Sequence, residues 1–239
     1  MRRRFFVPQF EGTRAVLEGD AAHHLGRVLR AQEGQLYELS DGQKVWLGRI
    51  SSIERDRVEF ALVEELPAYR PAVDVTLLLA VVKFDAFEWA IEKATELGVT
   101  AIVPLSAARS EKALLAAVAK RAERWKKILA EASQQSRRVN VPSLQTMTLP
   151  ELCFAQHKAG LRLVLSERQD APPMREVLQG QKASKAVIAI GPEGGWTDKE
   201  LESANQSGFK QVSLGKLILR TETAVIVALA SLNYALGAE

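Results

Sequence analysis

Short stretches of alternating apolar and polar residues characterise the first 70 positions of the chain. Residues 35–39 and 57–63 follow the two-residue period of a strand that buries one face, and residues 45–50 form another short apolar segment. The Asp-Gly pair at 41–42 is a strong signal for a hairpin turn. Several strands this short, separated by turns, predict a small antiparallel β-barrel, and the prolines within 67–71 mark a linker after it.

A different pattern begins at Val73, where apolar residues continue almost without interruption to Val82. Such a run is typical of a strand that is buried on both faces of a parallel sheet. Further short apolar segments extend the series, and the expected strands are 73–82, 101–105, 161–165, 186–190 and 211–214. Helical segments separate the strands, and this alternation predicts an α/β domain with a parallel sheet.

The helices between these strands have recognisable faces and ends. The first is predicted to bury Phe87, Ala90, Ile91, Ala94 and Leu97 and to expose Glu88, Glu92, Lys93 and Glu96. A second helical segment spans 111–135, and its pattern leaves a break near Lys120 open. Thr197 and Glu200 match the capping box at the start of a third helix, and a last helix is expected over 221–236.

Composition bounds the class of protein. A length of 239 residues favours two domains, 1–70 and 73–239. The chain is 47% hydrophobic and 26% charged, as in an ordinary water-soluble protein, and no apolar run reaches the roughly 18 residues of a membrane span. Its start lacks the apolar segment of a secretory signal. One cysteine, Cys153, cannot form an internal disulfide and fits the cytoplasm, and with only three histidines a metal site is not expected.

The distribution of charge is more informative than its total. The net charge is +3, but between Arg109 and Arg138 the chain has nine basic and three acidic residues, a local excess of six. A basic stripe of this kind attracts phosphate groups at long range. The same residues would also suit the solvated face of an ordinary helix, so both interpretations stay open.

Three loops follow the carboxyl ends of predicted strands, where ligands of open α/β sheets collect. They comprise residues 165–167, 191–196 and 215–223. The second has glycines at 191, 194 and 195, which either let the backbone approach a ligand or form a tight turn. Its spacing matches neither the dinucleotide-binding fingerprint nor the P-loop.

The third loop carries an unusual apolar tripeptide, Leu217-Ile218-Leu219. These side chains either pack on the core or form an apolar wall for a purine ring. Arg220 and Glu222 flank the start of the following helix, where a carboxylate is electrostatically favoured. Helix capping with a surface ion pair explains them equally well from spacing alone.

Two segments, 190–195 and 214–224, resemble the bacterial 16S rRNA uridine N3-methyltransferases of the SPOUT class. Residues 24–30, 93–99 and 131–138 match the same family, so the resemblance covers essentially the whole chain. It implies a PUA-like β-barrel followed by a SPOUT α/β domain with a deep trefoil knot. It also implies a homodimer with the ligand pocket near the subunit interface.

The resemblance also implies a cofactor and roles for residues. S-adenosyl-L-methionine would be held by Leu165, Gly191, Glu193, Gly194, Gly195, Leu214, Gly215, Leu217, Ile218, Leu219 and Thr223. Arg220 would stabilise charge on a uracil carbonyl, and Glu222 would assist in positioning or take the N3 proton. The arginines expected at the RNA are Arg2, Arg3, Arg4, Arg27, Arg30, Arg137 and Arg138. The implied partner is 16S rRNA within the assembled 30S subunit.

One departure from the family and three rival functions remain. The family usually has a glycine and a basic residue after the lysine that matches Lys83, where this chain has Phe84-Asp85-Ala86. A non-catalytic RNA-binding or assembly factor would be expected to have damaged cofactor loops, and these are intact. Methylation of tRNA or of a ribose 2′-hydroxyl would use a different third loop. A nucleotide-dependent oxidoreductase lacks its glycine fingerprint.

Overall fold

The computed structural model describes residues 3–158 and 160–237, which form two compact units. The first unit consists of the described residues up to Arg70 together with Ser133–Val141. The second unit consists of Pro71–Ala132 and the described residues from Pro142 onward. The segment 133–141, which the sequence places with the α/β region, therefore packs with the first unit.

A six-stranded sheet forms the first unit, with strand order β1-β4-β5-β6-β3-β2. Its strands are β1 (Arg4–Phe6), β2 (Phe10–Glu11), β3 (Arg14–Glu18), β4 (Leu36–Ser40), β5 (Val45–Ile53) and β6 (Arg57–Leu66). A short helix α1 (Gly19–His23) continues into a π-helical turn over His24–Val28. The predicted hairpin joins β4 and β5, with Gly42 at φ 86°. The expectation of a purely antiparallel sheet was wrong for one pair, because β1 lies parallel to β4.

Buried polar contacts tie residues 133–141 to this sheet. Arg4 forms an ion pair with Glu38 at 2.9 Å, and both side chains are buried. The Arg4 guanidinium also donates to the backbone carbonyl of Arg137, and Ser40 Oγ donates to the carbonyl of Val139 at 2.5 Å. Because a buried charge is costly without a partner, Arg4 is committed to holding this part of the fold together.

The second unit is built on a six-stranded sheet in which every pair is parallel, as predicted, with order β12-β10-β11-β7-β8-β9. The strands are β7 (Asp74–Ala80), β8 (Ala101–Leu105), β9 (Ser143–Leu144), β10 (Leu161–Leu165), β11 (Lys185–Ile190) and β12 (Lys210–Val212). Leu77, Leu78 and Leu79 in β7 are fully buried, which explains the continuous apolar run. The expected final strand is shorter than predicted, because it ends at Val212.

Six helices flank this sheet among the described residues. They are α2 (Phe84–Glu96), α3 (Lys112–Gln135), α4 (Pro150–Gln156), α5 (Met174–Leu178), α6 (Asp198–Gln206) and α7 (Thr221–Leu236). The capping box at Thr197 and Glu200 is present, and α3 continues past Lys120 without the break that its pattern left open. The short elements β9, α4 and α5 were not predicted.

The polar face predicted for α2 was wrong at Glu88. Phe87, Ala90, Ile91 and Ala94 are buried as expected, but Glu88 is also buried, with 8% of its surface exposed. Helix α3 lies against this face and places Arg124 Nε 2.8 Å from Glu88 Oε2. Because the neighbouring helix supplies the opposite charge, the α2 carboxylate can leave water.

Aromatic packing brings α2 and α3 together. The rings of Phe87 and Trp125 have centroids 4.4 Å apart, and the Phe84 ring meets the same indole at 6.1 Å. The guanidinium of Arg121 lies 4.6 Å from the centre of the Phe84 ring. Phe84, which departs from the family pattern, therefore packs against α3. None of the described helices combines the length and apolar character that crossing a membrane requires, and no cluster of three candidate metal ligands occurs in the described ranges.

We predict that Arg124→Ala destabilises the protein by about 1 kcal/mol or more, because it removes the nearest partner of the buried Glu88 carboxylate. Lys120→Ala is the matched control, since it removes an exposed charge from the same helix and should change stability by less than about 0.5 kcal/mol. Urea unfolding followed by tryptophan fluorescence measures both. Equal free energies of unfolding for the two variants would contradict a stabilising role for the Glu88 ion pair.

Candidate functional site

A cavity of about 340 Å³ opens at the carboxyl ends of β10 and β11 and beside the loop that follows β12. This is the position at which open α/β sheets bind ligands. The lining residues come from four connections after strands and from two helices. They are Arg109, Leu165, Ser166, Glu167, Arg168, Ile190, Gly191, Pro192, Glu193, Gly195, Trp196, Asp198, Leu201, Ser213, Leu214, Gly215, Lys216, Leu217, Ile218, Leu219, Thr221 and Ala224.

Trp196 joins two of the loops around the cavity. Its indole Nε1 donates to the backbone carbonyl of Leu165 at 2.9 Å. A Cβ atom at Gly191 would lie 3.0 Å from the same indole ring, so a larger residue would press on it. The glycine and the indole therefore fix the spacing between the β10 and β11 loops.

Two further glycines are required by close neighbours. Gly195 has φ 68°, a conformation that favours glycine, and a Cβ there would lie 2.5 Å from Glu167 Oε1. A Cβ at Gly194 would lie 3.3 Å from Arg109 Cβ. The two interpretations of this glycine loop are therefore both satisfied: it forms a tight turn, and it borders the cavity.

The apolar tripeptide of the third loop does not pack on the core. Leu217 and Ile218 each have 82% of their surface exposed, while both line the cavity and Leu219 is half-buried beside them. At the end of this loop Thr221 begins α7, and its hydroxyl donates to the carbonyl of Gly191 at 3.1 Å. Of the two explanations open for the tripeptide, the apolar wall is the one that the structure supports.

The carboxylate of Glu200 connects the base of the site to another loop. Its Oε2 accepts from the backbone and hydroxyl of Thr197 at 2.8 and 2.7 Å, which is the predicted capping box. Its Oε1 accepts from the backbone N–H of Ala108 at 2.9 Å. Because Glu200 is only 2% exposed, these bonds fix the connection after β8 against the start of α6.

The structure brings most of the predicted cofactor residues together. Those that line the cavity are Leu165, Gly191, Glu193, Gly195, Leu214, Gly215, Leu217, Ile218 and Leu219. Gly194 and Thr223 lie next to lining residues but not on the wall. Arg220 and Glu222 are also outside the wall; Arg220 is exposed and Glu222 half-buried, one on each side of Thr221.

The predicted RNA-contacting arginines separate into exposed and buried groups. Arg3, Arg27, Arg30 and Arg137 are exposed, and Arg2 lies outside the described residues. Arg4 and Arg138 are buried, so their assignment to an RNA-facing surface was wrong. Arg4 is paired with Glu38, and burial lowers the pKa of Arg138 to about 10 while its Nε donates to the carbonyl of Asn140.

Sequence reasoning missed three residues that shape the cavity. Arg109 was noted only as part of a basic stripe, although it follows the carboxyl end of β8, where the strand-end rule would have suggested it. Trp196 lies in the predicted loop, but its bond to Leu165 is a tertiary contact. Nothing in the sequence indicates that Glu200 reaches Ala108 as well as its own cap.

Two family models match the chain. An RNA methyltransferase domain matches residues 69–233, and an RNA methyltransferase PUA domain matches residues 17–63. The first covers the whole cavity-forming region, and the second lies within the first unit.

Individual relatives agree with these models over nearly the full length. The chain is 38% identical to the ribosomal RNA small subunit methyltransferase E of Synechocystis sp. over 221 residues, which are 88% of this chain and 70% of the relative. The crystal structure of a ribosomal RNA small subunit methyltransferase E from Neisseria gonorrhoeae, bound to S-adenosyl methionine, superposes with a TM-score of 0.89 at 29% identity and 99% coverage of both chains. A methyltransferase from Legionella pneumophila in complex with the same cofactor also has a TM-score of 0.89 at 29% identity, with 100% of both chains covered.

The exposed apolar wall, the glycine turns and the two-unit architecture thus occur in a chain that matches these proteins from end to end. The resemblance that the two loop segments indicated is confirmed, as is an α/β methyltransferase domain of SPOUT type preceded by a PUA domain. The chain belongs to the ribosomal RNA small subunit methyltransferase E family, whose members are S-adenosylmethionine-dependent rRNA methyltransferases.

Proposed function

We propose that this protein transfers a methyl group from S-adenosylmethionine to N3 of one uridine in 16S rRNA. The observation that carries the proposal is the cavity at the strand ends, bounded by glycine turns and an apolar wall, in a chain similar over its full length to structures bound to that cofactor. The family assignment supports rRNA as the substrate class.

The residues present fit this cofactor. Side chains at Gly191 and Gly195 would meet Trp196 and Glu167, so the backbone of this loop is free to border a ligand closely. Leu217 and Ile218 offer an apolar surface of the kind that a purine ring covers. We propose the cofactor contacts named from the sequence, with Gly194 and Thr223 acting through their neighbours on the wall.

The reaction needs few protein groups. When bound, S-adenosylmethionine supplies a methyl group on a positively charged sulfur, which leaves as a neutral thioether. The N3–methyl bond forms as the methyl–sulfur bond breaks, and the N3 proton is lost to a base or to water. The protein's main tasks are therefore to align the reacting atoms and to stabilise the uridine anion.

Arg220 and Glu222 are the proposed groups for the second task. Both flank Thr221, whose hydroxyl is bonded to Gly191 on the cavity wall. The Arg220 guanidinium would stabilise charge on a uracil carbonyl, and Glu222 would assist in positioning or accept the N3 proton. Their exposure leaves both side chains accessible to an RNA base that has been turned out of its stack.

We propose that residues 1–70 form the RNA-binding domain and residues 73–239 the methyltransferase domain. The segment 133–141 packs with the first unit, so its exposed Arg137 joins Arg3, Arg27 and Arg30 as candidate phosphate contacts. Each would contribute a salt-sensitive attraction to the RNA backbone.

The proposal extends to the setting of the reaction. We infer a cytoplasmic homodimer that acts on 16S rRNA in the assembled 30S subunit, with a trefoil knot in the methyltransferase domain. Exposed apolar side chains on the cavity loop and on α7 support contact with a second copy, since water alone leaves them unpaired. They are Leu217, Ile218 and Tyr234, the last with 94% of its surface exposed.

The proposed reaction is tested with purified 30S subunits from cells that lack the protein. Incubation with the protein and methyl-labelled cofactor should produce 3-methyluridine at one site, detected by nucleoside mass spectrometry. Arg220→Ala should lower the rate about 100-fold or more while cofactor affinity stays unchanged, because only the transition state is affected. Arg175→Ala, an exposed arginine of the same unit, should keep the full rate. Label on another nucleoside, or full activity of Arg220→Ala, would contradict the proposal.

Phosphate contacts by the exposed arginines are tested through salt dependence. Combined Arg3→Ala and Arg27→Ala substitutions should reduce the slope of log K for rRNA binding against log salt by about 2, one for each lost contact. Arg55→Ala is the control, because this exposed arginine lies 3.9 Å from Asp56 and is already paired. A double variant with the wild-type slope would exclude these two arginines from the RNA interface.

A further inference from the structure

Two opposite charges stand on either side of Gly195 in the cavity. A Cβ atom built on Gly195 would lie 2.5 Å from Glu167 Oε1 and 3.9 Å from Arg109 Nη1. The carboxylate and the guanidinium therefore share the small space that the missing side chain leaves. Both residues line the cavity.

The Arg109 side chain is held in a defined position. Its Nη1 donates to the carbonyl of Gly194 at 2.6 Å. The preceding residue, Ala108, is bonded through its N–H to the buried Glu200, and the hydroxyl of the following Ser110 donates to the carbonyl of Val81 at 2.7 Å. Because the backbone is fixed on both sides, the guanidinium is preorganised for a ligand.

Neither charge has an ion-pair partner within the part of the chain that the structure describes. Arg109 and Glu167 are close, yet they do not form a direct ion pair with each other. Arg168, the other arginine of the cavity, differs because it is paired with Asp198. A guanidinium has five N–H donors, and only one of those on Arg109 is used by Gly194.

A separated cation and anion of this kind suit a ligand that carries the complementary pair on adjacent atoms. An amino-acid zwitterion does so, since its ammonium and carboxylate are attached to one carbon. Arg109 can meet a carboxylate through two parallel N–H bonds, and Glu167 can accept from an ammonium. Phosphate would suit Arg109 but would be repelled by Glu167, so the pair favours a zwitterion over the RNA backbone.

We propose that Arg109 and Glu167 bind the amino-acid end of the cofactor, Arg109 taking the α-carboxylate and Glu167 the α-ammonium. The proposal rests on S-adenosylmethionine as the cofactor. It assigns the specificity for the amino-acid part of the molecule to two side chains, while the loops around the cavity hold the adenosine.

Two ligands separate these contributions in calorimetric titrations that require no turnover. S-adenosylhomocysteine carries the amino-acid end, and 5′-methylthioadenosine retains the adenosine and the sulfur but lacks that end. Arg109→Ala should weaken S-adenosylhomocysteine binding about 10-fold or more, as expected for a charge-assisted hydrogen bond, and leave 5′-methylthioadenosine binding unchanged. Glu167→Gln should show the same selectivity, and Arg109→Lys should recover part of the affinity.

Arg168→Ala is the matched control, because it removes a cavity arginine that is already paired. Equal loss of both ligands in Arg109→Ala would overturn the proposal and reduce Arg109 to a support for the Gly194 turn. Selective loss of S-adenosylhomocysteine in Arg168→Ala, or no loss in Arg109→Ala, would overturn it as well. Wild-type protein that binds neither ligand would instead contradict the cofactor itself, a result distinct from these three.

Discussion

The buried carboxylate of Glu200 is the interaction on which the geometry of the site depends. With one oxygen it caps α6 through Thr197, and with the other it holds the N–H of Ala108. These bonds join the glycine turn that leads into α6 to the connection after β8, which are 92 residues apart in sequence. A buried acceptor of this kind is costly to leave unsatisfied, so the two loops are fixed together or not at all.

The parallel sheet explains why such a link is useful. Parallel strands bring their carboxyl ends to one edge, and the loops that leave β8, β10, β11 and β12 converge there. Loops are the least constrained parts of a fold, and a cofactor site needs positions held to within fractions of an ångström. Trp196, Thr221 and Glu200 each bond one loop to another and supply that constraint.

Patterns that act within one element were readable from the sequence. The apolar strands of the parallel sheet, the Asp-Gly hairpin at 41–42 and the capping box of α6 all depend on neighbouring residues, and all are present. The shared loop segments also identified the family, because glycines and an apolar tripeptide in these loops have few other uses.

Contacts between distant elements were not readable. Glu88 looked like a solvent-facing helix residue until α3 supplied Arg124, and Arg4 looked like an RNA contact until Glu38 and residue 137 enclosed it. The same difference hid Arg109, since a lone arginine in a basic stretch gives no sign that its guanidinium reaches Gly194. Charged residues are therefore the ones for which sequence reasoning failed, because their partners are chosen by the tertiary fold.

The central claim is that one cavity, at the strand ends of the second unit, binds the cofactor. A crystal structure of the protein with S-adenosylhomocysteine tests it most directly. The account predicts adenosine density enclosed by residues 165–168, 191–196 and 213–219, with Leu217 and Ile218 against the purine ring. Density at any other position on the second unit, with this cavity empty, would contradict the account.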